Sequence, residues 1–157
     1  MKSFFLNKVL LFPYYFALKV RHLCYDRGIF KSYSFDVPVI CIGNLSVGGT
    51  GKTPHTEFLV KELSADKRVA VLSRGYGRKG KGFKIVEVSG TAEEYGDEPL
   101  QIKRKFPEVT VAVDGNRVRG INSLLSVDES VRPQVIILDD AFQHRRVVPG
   151  KNILLID

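Results

Sequence analysis

A glycine-rich segment that ends in Gly51-Lys52-Thr53 has the residue types of a nucleotide-phosphate site. In such a loop the backbone N–H groups point at phosphate oxygens, the lysine reaches the β- and γ-phosphates, and the threonine hydroxyl can ligate Mg²⁺. The strict pattern has glycine at position 46, where this chain has serine. The alternative is a glycine-rich turn with a chance Gly-Lys-Thr. The predicted nucleotide-binding residues are Ser46, Val47, Gly48, Gly49, Thr50, Gly51, Lys52 and Thr53.

The elements around this loop favour the phosphate site, because an apolar run predicts a strand before it and the residues after it predict a helix. Farther along the chain, apolar strands continue to alternate with helices, which predicts an α/β fold. We expect a P-loop NTPase-like, mostly parallel sheet with helices on both faces. The predicted strands are 37–42, 68–72, 83–88, 109–113, 135–138 and 152–156, and the predicted helices are 54–63, 96–106 and 116–125.

Two aspartates, Asp139 and Asp140, follow the apolar run 135–138 directly. In a nucleotide-binding sheet, the carboxyl end of such a strand is where a carboxylate meets the Mg²⁺ that the loop hydroxyl holds. An apolar run that ends in aspartate is common by itself and usually marks only the end of a strand. Together with the glycine-rich loop, the pair predicts a metal site made of Thr53, Asp139 and Asp140.

A second glycine-rich segment, 74–82, contains G-x-G-x-x-G, the pattern of a dinucleotide-binding turn. Such a turn should open a helix, whereas here the strand-like 83–88 follows, so we reject that interpretation. The segment carries an excess of cations, which suits a loop that faces an anion, either a substrate phosphate or a lipid headgroup. The alternative is a solvated basic loop. Its cations, with the next one along the chain, are Arg74, Arg78, Lys79, Lys81 and Lys84.

Further polar groups precede a predicted helix or follow predicted strands. Asp97 and Glu98 lie at a turn before the helix 96–106, where Asp97 suits either an N-cap or a general base for an attacking hydroxyl. The strings at 114–117 and 142–146 lie at strand carboxyl ends, the edge where ligands bind in open α/β sheets. A hydrogen-bonded structural role for His144 is at least as reasonable as a chemical one.

The N-terminal 31 residues form a separate region with its own charge. They contain six bases and one acid, which is +5 of the net charge of +7 of the 157-residue chain, and this excess favours an anionic partner. Their apolar and aromatic content favours a phospholipid surface over nucleic acid. The uncharged stretch between Lys8 and Lys19 has ten residues, about half the ~20 that span a bilayer. We expect a membrane-interface helix that Pro13 kinks or splits, or alternatively a helix packed on protein.

The rest of the chain, 32–157, is predicted to be the P-loop core. Its end directly after an apolar strand leads us to expect the N-terminal part of a larger protein, with an incomplete domain. Cys24 and Cys41 offer no disulfide framework, which favours a reduced cytosolic compartment. A secretory signal is disfavoured, because bases follow the first apolar run where a cleavage site should lie.

Five strings carry a family resemblance: GNLSVGGTGKTP (43–54), LSRGYGRKGKG (72–82), YGDEP (95–99), VDGNR (113–117) and LDDAFQHRRV (138–147). Their sequence and order resemble the tetraacyldisaccharide 4′-kinases, the lipid A 4′-kinases of Gram-negative bacteria. The resemblance covers most of the chain from residue 37 onwards, and the basic apolar N-terminus also fits. The family usually has glycine where this chain has Ala141. We expect that change to be tolerated if the backbone there does not need a positive φ.

The resemblance implies an ATP- and Mg²⁺-dependent kinase that phosphorylates the 4′-hydroxyl of a tetraacyldisaccharide 1-phosphate to give lipid IVA. It implies that Asp97 is the catalytic base, helped by a histidine in a C-terminal half outside this chain, and that Lys52 stabilises charge on the transferring phosphate. It also implies a site at the cytoplasmic face of the inner membrane, bound to phospholipid and not to nucleic acid. The candidate substrate contacts are Arg74, Glu98, Asn116, Arg117, Gln143 and His144.

Two other functions remain open at the level of sequence. One is a membrane-associated P-loop ATPase that uses nucleotide as a switch. Such proteins often have lysine in K-G-G-x-G-K, at the position of Val47, so the valine counts against this alternative. The other is a fragment that binds nucleotide weakly and catalyses nothing.

Overall fold

The computed structural model describes residues 2–44, 51–142 and 144–156, in two compact units, Met1–Ser32 and Tyr33–Asp157. The first unit is built on one helix, α1 (Lys2–Asp26), which contains Pro13. Because the helix continues on both sides of this proline, the expected alternative of two separate helices is wrong. In the described part of the chain, no helix is both long enough and apolar enough to cross a membrane.

The second unit is an α/β domain around a six-stranded sheet with the strand order β3-β4-β2-β5-β1-β6. The strands β1, β2, β4, β5 and β6 run parallel, and β3 pairs antiparallel with β4. β2 and β5 are buried along their whole length, which explains their continuous apolar, β-branched sequences. The strands are β1 (Val39–Asn44), β2 (Val69–Ser73), β3 (Lys84–Ile85), β4 (Thr110–Val113), β5 (Val135–Leu138) and β6 (Lys151–Leu155).

Helices cover both faces of the sheet, because side chains alternate along each strand and so form two separate cores. On one face, Ile121 and Leu124 of α5 (Arg117–Leu125) pack on the strands. On the other face, apolar residues of α2 (Lys52–Ser64) and α4 (Asp97–Lys105) pack together with the short α3 (Ala92–Tyr95). The predicted α/β fold with a mostly parallel, doubly covered sheet is therefore confirmed.

The region 83–95 differs most from the sequence prediction. The strand expected over 83–88 is reduced to the two residues of β3, because the chain turns at 87–90, where the Gly90 N–H donates to the Glu87 carbonyl (3.1 Å). The short helix α3 was not predicted. It begins after Thr91, whose side chain accepts from the Glu94 N–H while the Glu94 carboxylate accepts from the Thr91 N–H, a reciprocal cap for the helix start.

Candidate functional site

Lys52 connects three elements at the carboxyl edge of the sheet. It is the first residue of α2, its Nζ donates to Asn44 Oδ1 at the end of β1 (3.1 Å), and it lies 3.6 Å from Asp140 Oδ1 just after β5. Gly51 precedes it at φ 75° and ψ 21°, a left-handed conformation that favours glycine. Thr53 follows in the first helical turn, half-buried. The predicted phosphate-contacting residues from Ser46 to Thr50 lie outside the described residues.

The adjacent aspartates after β5 have different environments. Asp139 is buried, and its carboxylate accepts from Thr56 Oγ1 (3.3 Å) and Ser73 Oγ (3.4 Å). Burial, reinforced by the neighbouring charge of Asp140, raises the pKa of Asp139 above its ordinary value. Asp140 is exposed, adopts φ 51°, and faces Lys52. Asp139 thus anchors the strand end inside the protein, while Asp140 presents its carboxylate beside the lysine.

The positive φ at this turn also bears on Ala141. The left-handed residue is Asp140, so the backbone at position 141 does not need glycine. The Ala141 side chain is buried in the core on the α5 side of the sheet. The condition under which alanine was expected to be tolerated there is therefore met.

Asp97 is the first residue of α4 and is exposed. The N-cap is Gly96, at φ 92° and ψ 158°, so the alternative role of Asp97 as the cap is wrong. A Cβ on Gly96 would lie 2.9 Å from the carbonyl oxygen of Tyr76, and one on Gly75 would lie 2.8 Å from that of Tyr95. The segment 74–82 therefore packs directly against the turn that presents Asp97, with no room for a side chain between them.

The cations of that loop fall into two groups. Lys79 pairs with Glu93 (2.7 Å) and Lys84 with Glu94 (3.7 Å), so both are engaged by α3. Arg74, Arg78 and Lys81 line a cleft of about 420 Å³ between the loop and the turn at 114–119. Arg74 and Lys81 are exposed, whereas Arg78 is half-buried and its Nη2 donates to the Gly82 carbonyl (2.5 Å). The excess of positive charge predicted for the whole loop is thus concentrated on this cleft.

Arg117 differs most from its predicted role as a substrate contact, since it is 2% exposed. Its Nη1 donates to the carbonyl oxygen of Asp114 (2.6 Å) and its Nη2 to that of Asp139 (3.0 Å). Burial lowers the pKa of Arg117 to about 10, although the Asp139 carboxylate opposes this shift. Arg117 joins the ends of β4 and β5 from inside the protein, so we assign it a structural role.

The buried Asp114 and the exposed Arg119 form an ion pair that the sequence did not single out. The Asp114 carboxylate is fully buried and accepts from Arg119 Nε and Nη2, both at 2.8 Å. Burial acts to raise the pKa of Asp114, but these bonds and the Asn116 N–H outweigh it and lower the pKa. Asn116 caps α5, because its Oδ1 accepts from the Arg119 N–H at 3.2 Å. The string 113–117 thus builds a rigid turn at the edge of the site.

The remaining candidates are dispersed along this edge. Glu98 is exposed in the first turn of α4, close enough for its charge to contribute to the raised pKa of Asp139. The His144 N–H donates to the Ala141 carbonyl (2.8 Å), and the residue is half-buried. Gln143 lies outside the described residues. Asn44, Thr56 and Ser73 contact Lys52 or Asp139 and were missed, since each is an ordinary polar residue in its local sequence.

The donor set at the start of α2 fits a magnesium–nucleotide complex. The hydroxyl of Thr53 and the carboxylates of Asp139 and Asp140 are hard oxygen donors of the kind that Mg²⁺ prefers. No acid occupies the first turn of α2, so nothing in that turn opposes a phosphate at the helix N-terminus. Lys52 lies beside the same helix end, where its ammonium can neutralise phosphate charge.

The fold and the site define a P-loop α/β protein. Its marks are strand β1, helix α2 that begins at Lys52, and the aspartates that follow β5, the parallel neighbour of β1. The chain belongs to the tetraacyldisaccharide-1-P 4′-kinase (LpxK) family, because the model of that family matches residues 4–157. The family resemblance seen in the sequence is therefore confirmed.

Individual relatives agree with this assignment. The chain is 51% identical to the tetraacyldisaccharide 4′-kinase of Parabacteroides distasonis and 54% identical to that of Flavobacterium johnsoniae. Each match covers 96% of this chain and 42% or 45% of the relative, so the chain spans less than half the length of these curated proteins. The crystal structure of LpxK from Aquifex aeolicus in complex with ATP matches with a TM-score of 0.81 and 42% identity, over 96% of this chain and 49% of that one.

Proposed function

We propose that the complete protein is an ATP-dependent kinase that phosphorylates the 4′-hydroxyl of a tetraacyldisaccharide 1-phosphate and so forms lipid IVA in lipid A biosynthesis. The observation that carries the proposal is the position of Lys52, between Asn44 and Asp140 at the N-terminus of α2. A cation there can neutralise charge on a transferring phosphate. Family membership supports the choice of acceptor.

The chain's own residues divide the work between binding and proton transfer. The N-terminus of α2 after Gly51 and the Lys52 ammonium hold the phosphates, and Thr53 with Asp140 or Asp139 would hold Mg²⁺. Mg²⁺ bound there would offset charge on the phosphate oxygens, which together with in-line positioning is most of what phosphoryl transfer requires. Asp97, exposed at the start of α4, accepts the proton of the attacking hydroxyl. Arg74 and Glu98 are the remaining described candidates for contact with the acceptor, together with Asn116 and His144.

Transfer of phosphate to the acceptor is the expected result when the full-length protein meets radiolabelled ATP, Mg²⁺ and the tetraacyl disaccharide in detergent micelles. The label should appear in a lipid that carries one more phosphate than the acceptor, as read by chromatography and mass spectrometry. A reaction without acceptor provides the control. Release of inorganic phosphate with no labelled lipid would contradict the kinase proposal and favour an ATPase switch.

We further propose that α1 binds the protein to the cytoplasmic face of the inner membrane as a peripheral or monotopic anchor. Among the described side chains of this helix, exposed aromatic and aliphatic groups lie close to bases, which is the composition of an interfacial helix. Lys19 lies 5.0 Å from the ring of Tyr15, and Arg21 lies 5.4 Å from that of Tyr25. The exposed apolar residues are Tyr14, Tyr15, Phe16, Val20 and Leu23.

Deletion of residues 1–25 from the full-length protein is expected to weaken its association with vesicles that contain anionic phospholipid, because the deletion removes both apolar and basic contacts. Flotation on a density gradient measures the bound fraction. Phe58→Ser is the matched control, since Phe58 is an exposed aromatic residue of α2 outside the helix under test. Unchanged flotation of the deletion variant would favour a helix that packs on protein.

A further inference from the structure

Glu57, which the sequence predicted neither as a metal ligand nor as a substrate contact, links two helices of the site. These are α2, which begins at Lys52, and α4, which begins at the proposed base Asp97. Glu57 lies in the second turn of α2, five residues after Lys52, and its side chain is 11% exposed. Gln101 Nε2 donates to its Oε1 at 2.9 Å, and Lys105 Nζ donates to its Oε2 at 2.5 Å. Gln101 and Lys105 are one turn apart on α4 and therefore share a face. Two donors from one helix thus hold both oxygens of a carboxylate on the other.

The bond between Lys105 and Glu57 joins two charged groups; the Lys105 side chain is 56% exposed, so solvent screens the attraction and the main contribution of the bond is directional. Burial acts to raise the pKa of Glu57, but the hydrogen bonds from Lys105 and Gln101 outweigh it, and the pKa lies below its ordinary value. Glu57 is therefore ionised at neutral pH. Hydrogen bonds to an ionised acceptor are shorter and stronger than neutral ones.

The apolar packing beneath Glu57 contributes to the same geometry. Val60 of α2 and Leu100 and Ile102 of α4 lie in one core cluster, which holds the helices together. Interdigitating apolar side chains set the separation of the helices and oppose sliding along their axes, and the hydrogen bonds to Glu57 add a directional restraint. The hydrogen bonds to Glu57 weaken when their angles change, and they therefore restrain the axial register.

We propose that Glu57 is a positioning residue of the phosphotransfer site, which keeps α4 and its first residue Asp97 in register with α2 and its first residue Lys52. The inference rests on the proposed function, in which Lys52 binds the transferred phosphate and Asp97 activates the acceptor. Asp97 also lines a cleft of about 810 Å³ together with Gln101 and Lys105, so the base and the contact share one surface. A misplacement of about 1 Å can cost roughly 100-fold in rate, so a small slide of α4 matters.

The test compares three variants of the full-length kinase. Glu57→Asp keeps the charge but moves it towards its own helix, and Lys105→Met removes one donor. We expect each to lower kcat by about tenfold or more and to leave the KM for ATP unchanged, since only the geometry of transfer is altered. The double variant Glu57→Lys with Lys105→Glu should recover most of kcat, because the ion pair is restored with its partners exchanged.

Leu124→Ala is the control for a loss of stability, since Leu124 is buried in α5 on the opposite face of the sheet. It should lower Tm and leave kcat unchanged. The proposal is overturned if the Glu57 and Lys105 variants keep the kcat of the unmodified enzyme, or if the exchanged pair restores Tm without restoring kcat. The second result would mean that the contact only stabilises the fold.

A distance measurement tests the positioning role of Glu57 independently of the proposed kinase activity. Spin labels at the exposed positions 61 of α2 and 98 of α4 report the register of the two helices without any turnover. We expect Glu57→Ala to shift or broaden the distance distribution and Leu124→Ala to leave it unchanged. If the unmodified protein does not phosphorylate the acceptor, the proposed function fails. If the distance is unchanged in Glu57→Ala, the positioning role fails.

Discussion

Asp97→Ala in the full-length protein is expected to lower kcat by about 10²–10⁴-fold, the contribution that a positioned general base makes. Binding of ATP should survive, because Lys52 and the phosphate loop are untouched. Steady-state phosphorylation of the tetraacyl disaccharide measures turnover, and calorimetric titration with ATP measures binding. Undiminished turnover in this variant would contradict the assignment of Asp97 as the base.

The environment of Asp97 explains why a conservative change should be nearly as harmful. The residue is held in place by close backbone contacts between Gly75 and Tyr95 and between Gly96 and Tyr76. Asp97→Asn keeps the shape of the side chain but cannot accept the proton, so we expect a loss of similar size. Glu108→Ala, a change of an exposed acid just after α4, is the control and should retain full turnover.

Arg117→Met is expected to lower the free energy of unfolding by about 3–5 kcal/mol, the cost of removing two buried hydrogen bonds from a charged donor. The change leaves the carbonyl oxygens of Asp114 and Asp139 without their donors, and leaves the buried Asp139 without the cation that opposes the rise of its pKa. Urea denaturation of the full-length protein measures the change. Arg117→Lys keeps a cation without the planar fork that reaches both carbonyls, so it should be intermediate.

A matched control for this prediction is Lys67→Met, which removes an exposed cation after α2 and should change stability by no more than about 0.5 kcal/mol. If Arg117→Met unfolds like the unmodified protein but raises the KM for the acceptor, then Arg117 contacts the substrate and its structural role is wrong.

Much of the fold was predictable because its signals are local. Local sequence patterns indicate several elements directly: the apolar runs of β1, β2 and β5, the helices α4 and α5, and the Gly51-Lys52-Thr53 segment. The family was predictable for the same reason, since five short strings in order carry it. The short length of β3 was not predictable, because the apolar sequence of 83–88 is that of a longer strand, whereas the chain turns away after Val86, whose N–H still donates to the Val111 carbonyl on β4.

The sequence by itself therefore determined the fold class, the family, and the edge of the sheet at which the polar residues gather. Only the tertiary structure decided how those residues divide their roles: Asp139 buried, Asp140 facing Lys52, Arg117 inside the protein, and Glu57 joined to α4. The physical reason is the separation along the chain of the residues that interact. Periodicity and turn chemistry report on neighbours along the chain, whereas the Glu57 contacts join residues 44 and 48 positions apart. Burial and ion pairing are properties of the packed helices and sheet, and no local pattern contains them.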